Sequence, residues 1–195
     1  LYQFNSPYGD PNLKPDEGVT YDIGFEQHLF DHSLTFGLTY FYNDFENMVE
    51  WDPNTYTYQN VDNASLEGYE VEFAFIPIEA LTLGVNYTYT ITEDKDTGYE
   101  LRRRPEHQAA VSINWAFLEK ANVNISARYV GERWEDADNT ERLDAYTTVD
   151  LSAYYDLTDH FQLFGRIENL LDGSYEQIPG FAGSGASYYA GIRAS

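Results

Sequence analysis

From Leu81 to Thr92 the chain alternates without a break. Leu81, Leu83, Val85, Tyr87, Tyr89 and Ile91 are apolar or aromatic, and Thr82, Gly84, Asn86, Thr88, Thr90 and Thr92 lie between them. Successive strand side chains point to opposite faces, so period two predicts a strand with one dry and one wet face. The pattern recurs within residues 19–26, 34–43, 69–75, 111–117, 122–129, 149–157 and 161–168, and a last run opens near Tyr188. Nine strands and no helix are predicted.

A soluble sandwich and a membrane barrel both alternate, so other features must separate them. Several runs hold register for about ten residues, which suits a tilted spanning strand (roughly 9–11) better than a soluble one (roughly 5–6). Tight connections are predicted around Asp31-His32, Pro77–Ala80, Leu118–Ala121 and Thr158–His160. Long polar ones alternate with them at Asp44–Ala64, Glu93–Glu106, Glu132–Asp144 and Leu171–Ser187. Short turns on one side and long loops on the other are the outer-membrane barrel pattern. Rings gather near strand ends (Tyr40 and Tyr42, Tyr87 and Tyr89, Trp115 and Phe117, Tyr129 with Trp134, Phe161), as interfacial girdles require. Asp22, Glu26, Glu70, Glu72, Arg128, Asp150, Asp156, Arg166 and Glu168 share the polar face. A basic residue on the lipid side near the midplane would cost about 2–4 kcal/mol, so that face is expected to line the lumen.

Composition narrows the choice. The 195 residues suffice for one domain or part of a larger one, and 33 acidic against 11 basic side chains leave a formal charge of −22, which argues against nucleic-acid binding. Eighteen Tyr, 12 Phe and 3 Trp exclude an acidic disordered chain, although mean hydropathy is only −0.52. With no cysteine there is no disulfide or thiolate site. No 18-residue apolar run and no leader-like opening at Leu1 occur, so the N-terminus reads as internal.

Chemistry is sparse. His28, His32, His107 and His160 are scattered, with no metal spacing and no nucleophile elbow, so no catalytic residue and no cofactor is assigned. Asp94 and Asp96, in Asp94-Lys95-Asp96-Thr97-Gly98, have a spacing that lets carboxylates converge on calcium, but the rest of an EF-hand loop is missing; Glu135-Asp136-Ala137-Asp138 reads the same way. A solvated acidic loop is the weightier reading of both. Candidate ligand contacts are the rings and bases of the long loops: Trp51, Tyr56, Tyr58, Tyr99, Arg102, Arg103, Trp134, Tyr175 and Phe181. Flat rings give large contact area at small entropy cost, and arginines can hold an anionic chelate or pair with acids. Loop packing competes with ligand contact for most of them.

Three stretches resemble a known family. Gly9-Asp10-Pro11-Asn12-Leu13-Lys14-Pro15-Asp16-Glu17 resembles the N-P-x-L-K-P-E segment that opens a late barrel strand in TonB-dependent outer-membrane receptors. Arg102-Arg103-Arg104-Pro105-Glu106-His107 resembles the family's R-R-P-x-H segment. Glu168-Asn169-Leu170-Leu171-Asp172-Gly173-Ser174-Tyr175 is similar to its E-N-L-F-D-x-x-Y signature, with Leu171 where Phe is commoner. The run Ser187–Ser195 resembles the last strand, although the family ends in an aromatic residue and Ser195 is not one, so a residue is expected beyond it.

The resemblance is nearest to cobalamin, siderophore and colicin receptors. It implies an all-β, antiparallel transmembrane barrel of which residues 1–195 are the C-terminal nine or so of 22 strands, without the N-terminal plug. It further implies the Gram-negative outer membrane, outer-membrane lipids around the barrel, a metal chelate or corrinoid as ligand, and the energy-transducing TonB protein as partner through the plug. A soluble or surface-attached carbohydrate-binding module, a small stand-alone barrel and an outer-membrane enzyme are the competing readings.

Overall fold

A computed structural model describes residues 7–52 and 55–194, with no side-chain detail at residues 61 and 62; among the described residues there are strands and turns only. In chain order the strands are β1 (Glu17–Leu29), β2 (Leu34–Asp52), β3 (Thr57–Ile78), β4 (Leu81–Asp94), β5 (His107–Leu118), β6 (Ala121–Val130), β7 (Arg133–Trp134), β8 (Arg142–Leu143), β9 (Tyr146–Thr158), β10 (Phe161–Glu168), β11 (Glu176–Ile178), β12 (Phe181–Ala182) and β13 (Ser187–Ala194). Nine of them form one antiparallel sheet in the order β1-β2-β3-β4-β5-β6-β9-β10-β13, each beside its sequence neighbour. The other four are short ribbons, β7-β8 and β11-β12, set into two long connections. The nine predicted strands are therefore those of the sheet, and the ribbons were missed. Ser195, with the expectation attached to it, lies outside the described residues.

Strand register carries the alternation across the whole sheet. Residues paired across an antiparallel ladder share a face. Ile23, Tyr40, Tyr69, Tyr89 and His107 align in one row, and Gln27, Phe36, Phe73, Val85, Val111, Ala127 and Val149 in another. On the opposite face Glu70 stands between Thr39 and Thr88, Glu72 between Gly37 and Asn86, and Asp150 beside Ser126. All nine charged residues expected in the lumen lie on this face. Where strands approach closest a side chain is excluded: a Cβ on Gly68 would sit 1.9 Å from the Tyr89 carbonyl oxygen.

Among the described residues no second layer covers the apolar face. Among the described residues only Leu13, Ala64, Leu101, Ala121, Val130 and Leu143 are buried hydrophobics, while Ile23 is 73% exposed. The accessible surface is 12913 Å², against about 9,400 Å² for a compact 22.4 kDa protein. A sandwich would bury these rows against a partner sheet, and none of the described strands forms one. An apolar face this broad calls for hydrocarbon as its solvent.

The rings mark its limits. Tyr40 packs on Tyr69 at 5.2 Å and Tyr89 on His107 at 5.2 Å near one rim, and Trp115 packs on Phe117 at 5.7 Å near the other. Trp115 pairs with Leu81 and His107 with Tyr89, so 8 residues of β4 separate the bands. That is about 27 Å along the strand and about 21 Å of depth at a 40° tilt, near the 25 Å apolar band of such barrels. Trp134, assigned to a girdle with Tyr129, instead lies in the β7-β8 ribbon beneath Arg142.

Connections at residues 30–33, 79–80, 119–120 and 159–160 are tight, as expected. The expected loop Asp44–Ala64 is a correction: β2 and β3 run on as a paired ribbon to Asp52 and Thr57. Among the described residues its outer half has no strand paired beside it, because β1 pairing stops at Glu46 and β4 pairing at Ala64. With neither face against lipid, nothing demands alternation there, and the polar sequence reads as loop. β1 and β13 do not pair with each other, so the sheet is open at both edges.

Candidate functional site: the external rim

Past the upper ring band, the long connections meet. Asn47, with φ of 58°, interrupts β2 where it leaves the sheet, while register holds from Glu46–Asn63 to Met48–Val61. Asn60 donates to the Asn47 carbonyl at 2.5 Å and clasps Lys14 through both its backbone groups, at 2.9 and 3.1 Å. The Tyr58 N–H donates to the Tyr8 carbonyl at 3.1 Å. This folds the segment before β1 onto the ribbon, and Trp51 ends up among Tyr8, Tyr56 and Tyr58, with ring centroids at 5.8, 6.4 and 5.2 Å, all edge-on. Three of the candidate rings are thus one cluster. Tyr8 was missed, since the motif after it was read only as a strand opener.

The two candidate arginines point to different neighbours. Arg102 donates from Nε to Glu50 Oε2 at 2.9 Å, and the side chains are 11% and 20% exposed. Arg103 forks onto both oxygens of Glu135, and its backbone N–H donates to the Trp134 carbonyl at 2.6 Å. The hydrogen bond to Glu135 holds the Arg103 guanidinium above its ordinary pKa, against the opposing effect of burial. Asn139 exchanges two hydrogen bonds with the backbone of Glu100, at 2.8 and 3.0 Å. Lys95 reaches Asp44 at 2.6 Å, and this hydrogen bond raises its pKa. The β4-β5 connection is thereby tied to the β2-β3 ribbon on one side and to β7-β8 on the other. The pairing was weighed from sequence, but Glu50 and Glu135 could not be picked from 33 acids without the fold.

Trp134 lies under Arg142 at 4.2 Å, and Tyr175 stacks on Tyr146 at 4.5 Å. Tyr146 and Tyr175 line a cleft of about 320 Å³ with Arg142, Ser174 and Glu176. Behind it the buried Arg133 donates to the carbonyls of Glu176 and Gln177 at 3.1 and 3.3 Å. Phe181, 72% exposed, and Tyr99 stand apart from both groups, and no ring contact joins them to the rest among the described residues.

The signature segments turn out to build loops. Asn169 is buried, with φ of 48°, and donates to the carbonyls of Gly173 and Ser184 at 2.9 and 3.0 Å. Asp172 accepts from the Ala186 N–H at 2.8 Å. Together they pin both ends of the β10-β13 connection.

Asp94, the calcium candidate, spends Oδ1 on the N–H groups of Asp96 and Thr97 at 2.9 and 3.1 Å. Asp136 does likewise: burial opposes its ionisation, but hydrogen bonds from the Glu141 N–H, the Thr140 hydroxyl and the Thr140 N–H outweigh that and keep its pKa below the ordinary value. Among the described residues no three His or acidic side chains converge on a common point.

One antiparallel meander with a lipid-facing apolar side, ring bands at two depths and all long connections on one rim is a stretch of outer-membrane barrel wall. The chain matches the model of the family described as TonB dependent receptor-like, beta-barrel, over residues 1–170, and it belongs to that family. It is 33% identical over 200 residues to the vitamin B12 transporter BtuB of Photobacterium profundum, covering 96% of this chain and 32% of that protein. It is 32% identical over 197 residues to BtuB of Vibrio vulnificus, covering 96% and 30%. The solved ferripyoverdine receptor of the outer membrane of Pseudomonas aeruginosa is similar at 26% identity and a TM-score of 0.76, covering 93% of this chain and 27% of its own. The chain spans about a third of the length of its curated relatives.

Proposed function

We propose that these strands are part of the barrel wall of an outer-membrane receptor that takes up a large, scarce nutrient, a corrinoid or a ferric siderophore, in a Gram-negative bacterium. Uptake is driven by TonB acting through a plug that fills the lumen of a 22-stranded barrel. The work is binding and gated passage, with no covalent chemistry. The observation that carries the reading is the interlocked external rim, with its ring cluster at Tyr8, Trp51, Tyr56 and Tyr58, set on a lipid-embedded sheet whose other face is polar. In this reading that polar face meets the plug, and Trp51, Tyr56, Tyr58 and Tyr175 touch the ligand.

The test is uptake by the intact receptor containing this chain, expressed in a Gram-negative host that lacks its own receptor. Labelled cobalamin and ferric siderophores should accumulate only when TonB is present, and Trp51→Ala should raise the half-saturating concentration by about tenfold, as loss of a central aromatic anchor does. TonB-independent uptake, or none of either ligand, would overturn the proposal.

A further inference from the structure

We infer that the external loops select against anionic chelates, and that the ligand carries no net negative charge: an uncharged or cationic metal complex such as a ferric tris-hydroxamate or a corrinoid. This rests on the receptor reading above and narrows its substrate class.

The four long connections, residues 44–64, 93–106, 132–144 and 171–187, hold 18 acidic against 6 basic side chains, a balance of −12. Of those six, Lys95 pairs with Asp44, Arg102 with Glu50, Arg103 with Glu135 and Arg142 with Glu132. Arg133 is buried on two carbonyls. Arg133 and Arg104 have no ion pair among the described residues, and of these two only Arg104 is exposed. A site for a polyanion needs guanidinium or ammonium groups left free to meet it, because charge-assisted hydrogen bonds supply the binding energy. Here Glu50 takes the Nε of Arg102 and Glu135 takes the fork of Arg103. Beside these paired cations stand uncharged rings: Tyr56 and Tyr8 are exposed, and Trp51, Tyr58 and the stacked Tyr146–Tyr175 pair are half-exposed.

Surplus acid around the rim acts in the same direction. A field of one sign slows the approach of like-charged ligands, and an unmatched charge at the contact costs affinity even where shape fits. Three catecholate dianions around a ferric ion make a trianion, whereas three hydroxamate monoanions make an uncharged complex. Glu50 and Glu135 are therefore specificity residues that act through the arginines they occupy.

The intact receptor in detergent is titrated with a ferric tris-catecholate, a ferric tris-hydroxamate and cobalamin, following tryptophan fluorescence, at low and high salt. The tightest binder is expected to be one of the last two, with the tris-catecholate weaker and gaining affinity as salt rises. Glu50→Gln with Glu135→Gln, which keep a hydrogen-bond acceptor for each arginine, should tighten the tris-catecholate by about tenfold and leave the uncharged ligand within about twofold. If the tris-catecholate binds tightest in the unmodified receptor, or gains nothing in the double variant, the charge inference is overturned and the receptor reading stands. If none of the three binds, the receptor reading falls and takes the inference with it.

Discussion

Arg102 donates to Glu50 across 52 residues of chain, and this one contact joins the β4-β5 connection to the outer ribbon of β2 and β3. Both side chains are largely buried, so removing one strands the other in a poor solvent. Arg102→Ala should cost about 2 kcal/mol of local stability, read as roughly thirtyfold faster amide exchange at residues 48–52 and 57–61. Unchanged exchange would show that the ribbon stands without the pair.

Acid should loosen the neighbouring ribbon through Asp136. Its folded pKa lies below the ordinary 3.8, so the stabilisation is fully present above that value and is lost as pH falls through the lower, folded one. Exchange protection of residues 136–141 is expected to hold from neutral pH down to about 4 and to fall below it. Asp136→Asn, which does not titrate, should flatten that dependence.

At the signature segment, Asn169 combines a left-handed backbone with two side-chain hydrogen bonds. Asn169→Gly keeps the backbone and loses the bonds, for about 2 kcal/mol; Asn169→Ala loses them too and keeps a Cβ in the left-handed region without the amide that favours it there, for about 3. Limited proteolysis within residues 171–187 should follow that order. Equal sensitivity in the two variants would remove the backbone from the explanation.

The two faces of β4 make opposite demands on a charge. Val85 lies between Phe73 and Val111 in the lipid-facing row, midway between the ring bands, and Asn86 lies on the polar face between Glu72 and Ala110. Val85→Arg should cost about 2–4 kcal/mol and Asn86→Arg far less. Urea unfolding of the intact receptor in bilayers measures both, and comparable costs would contradict the assignment of faces.

How much of this could be read beforehand divides at the membrane surface. Inside it, hydrocarbon dictates every second residue, and Leu81–Ile91 announced both strand and face. Outside it, the paired strands from Met48 to Asp52 and from Thr57 to Val61 have no lipid against either face, and the same backbone ladder left no alternation to find. The rim shows the same limit. Trp51, Tyr56 and Tyr58 are close in sequence and were legible as a group, but Tyr8 joins them through the fold, by the Asn60–Lys14 clasp and its own carbonyl on the Tyr58 N–H. Glu50 and Glu135 meet their arginines only after 52 and 32 residues of intervening chain have folded. The motifs named the family correctly, yet residues such as Asn169 and Asp172 serve to tie loops together.

The claim beneath all of this is that lipid tails touch residues 83, 85, 87 and 89 while water or protein touches 84, 86 and 88. A nitroxide placed at each position from 82 to 91 of the intact receptor, reconstituted in bilayers, measures it directly through collisions with oxygen and with a water-soluble nickel chelate. The account predicts strict alternation, with oxygen reaching the odd positions and being poorly accessible at the even ones. Odd positions shielded from oxygen, or open to the nickel chelate at the depth of Val85, would contradict it.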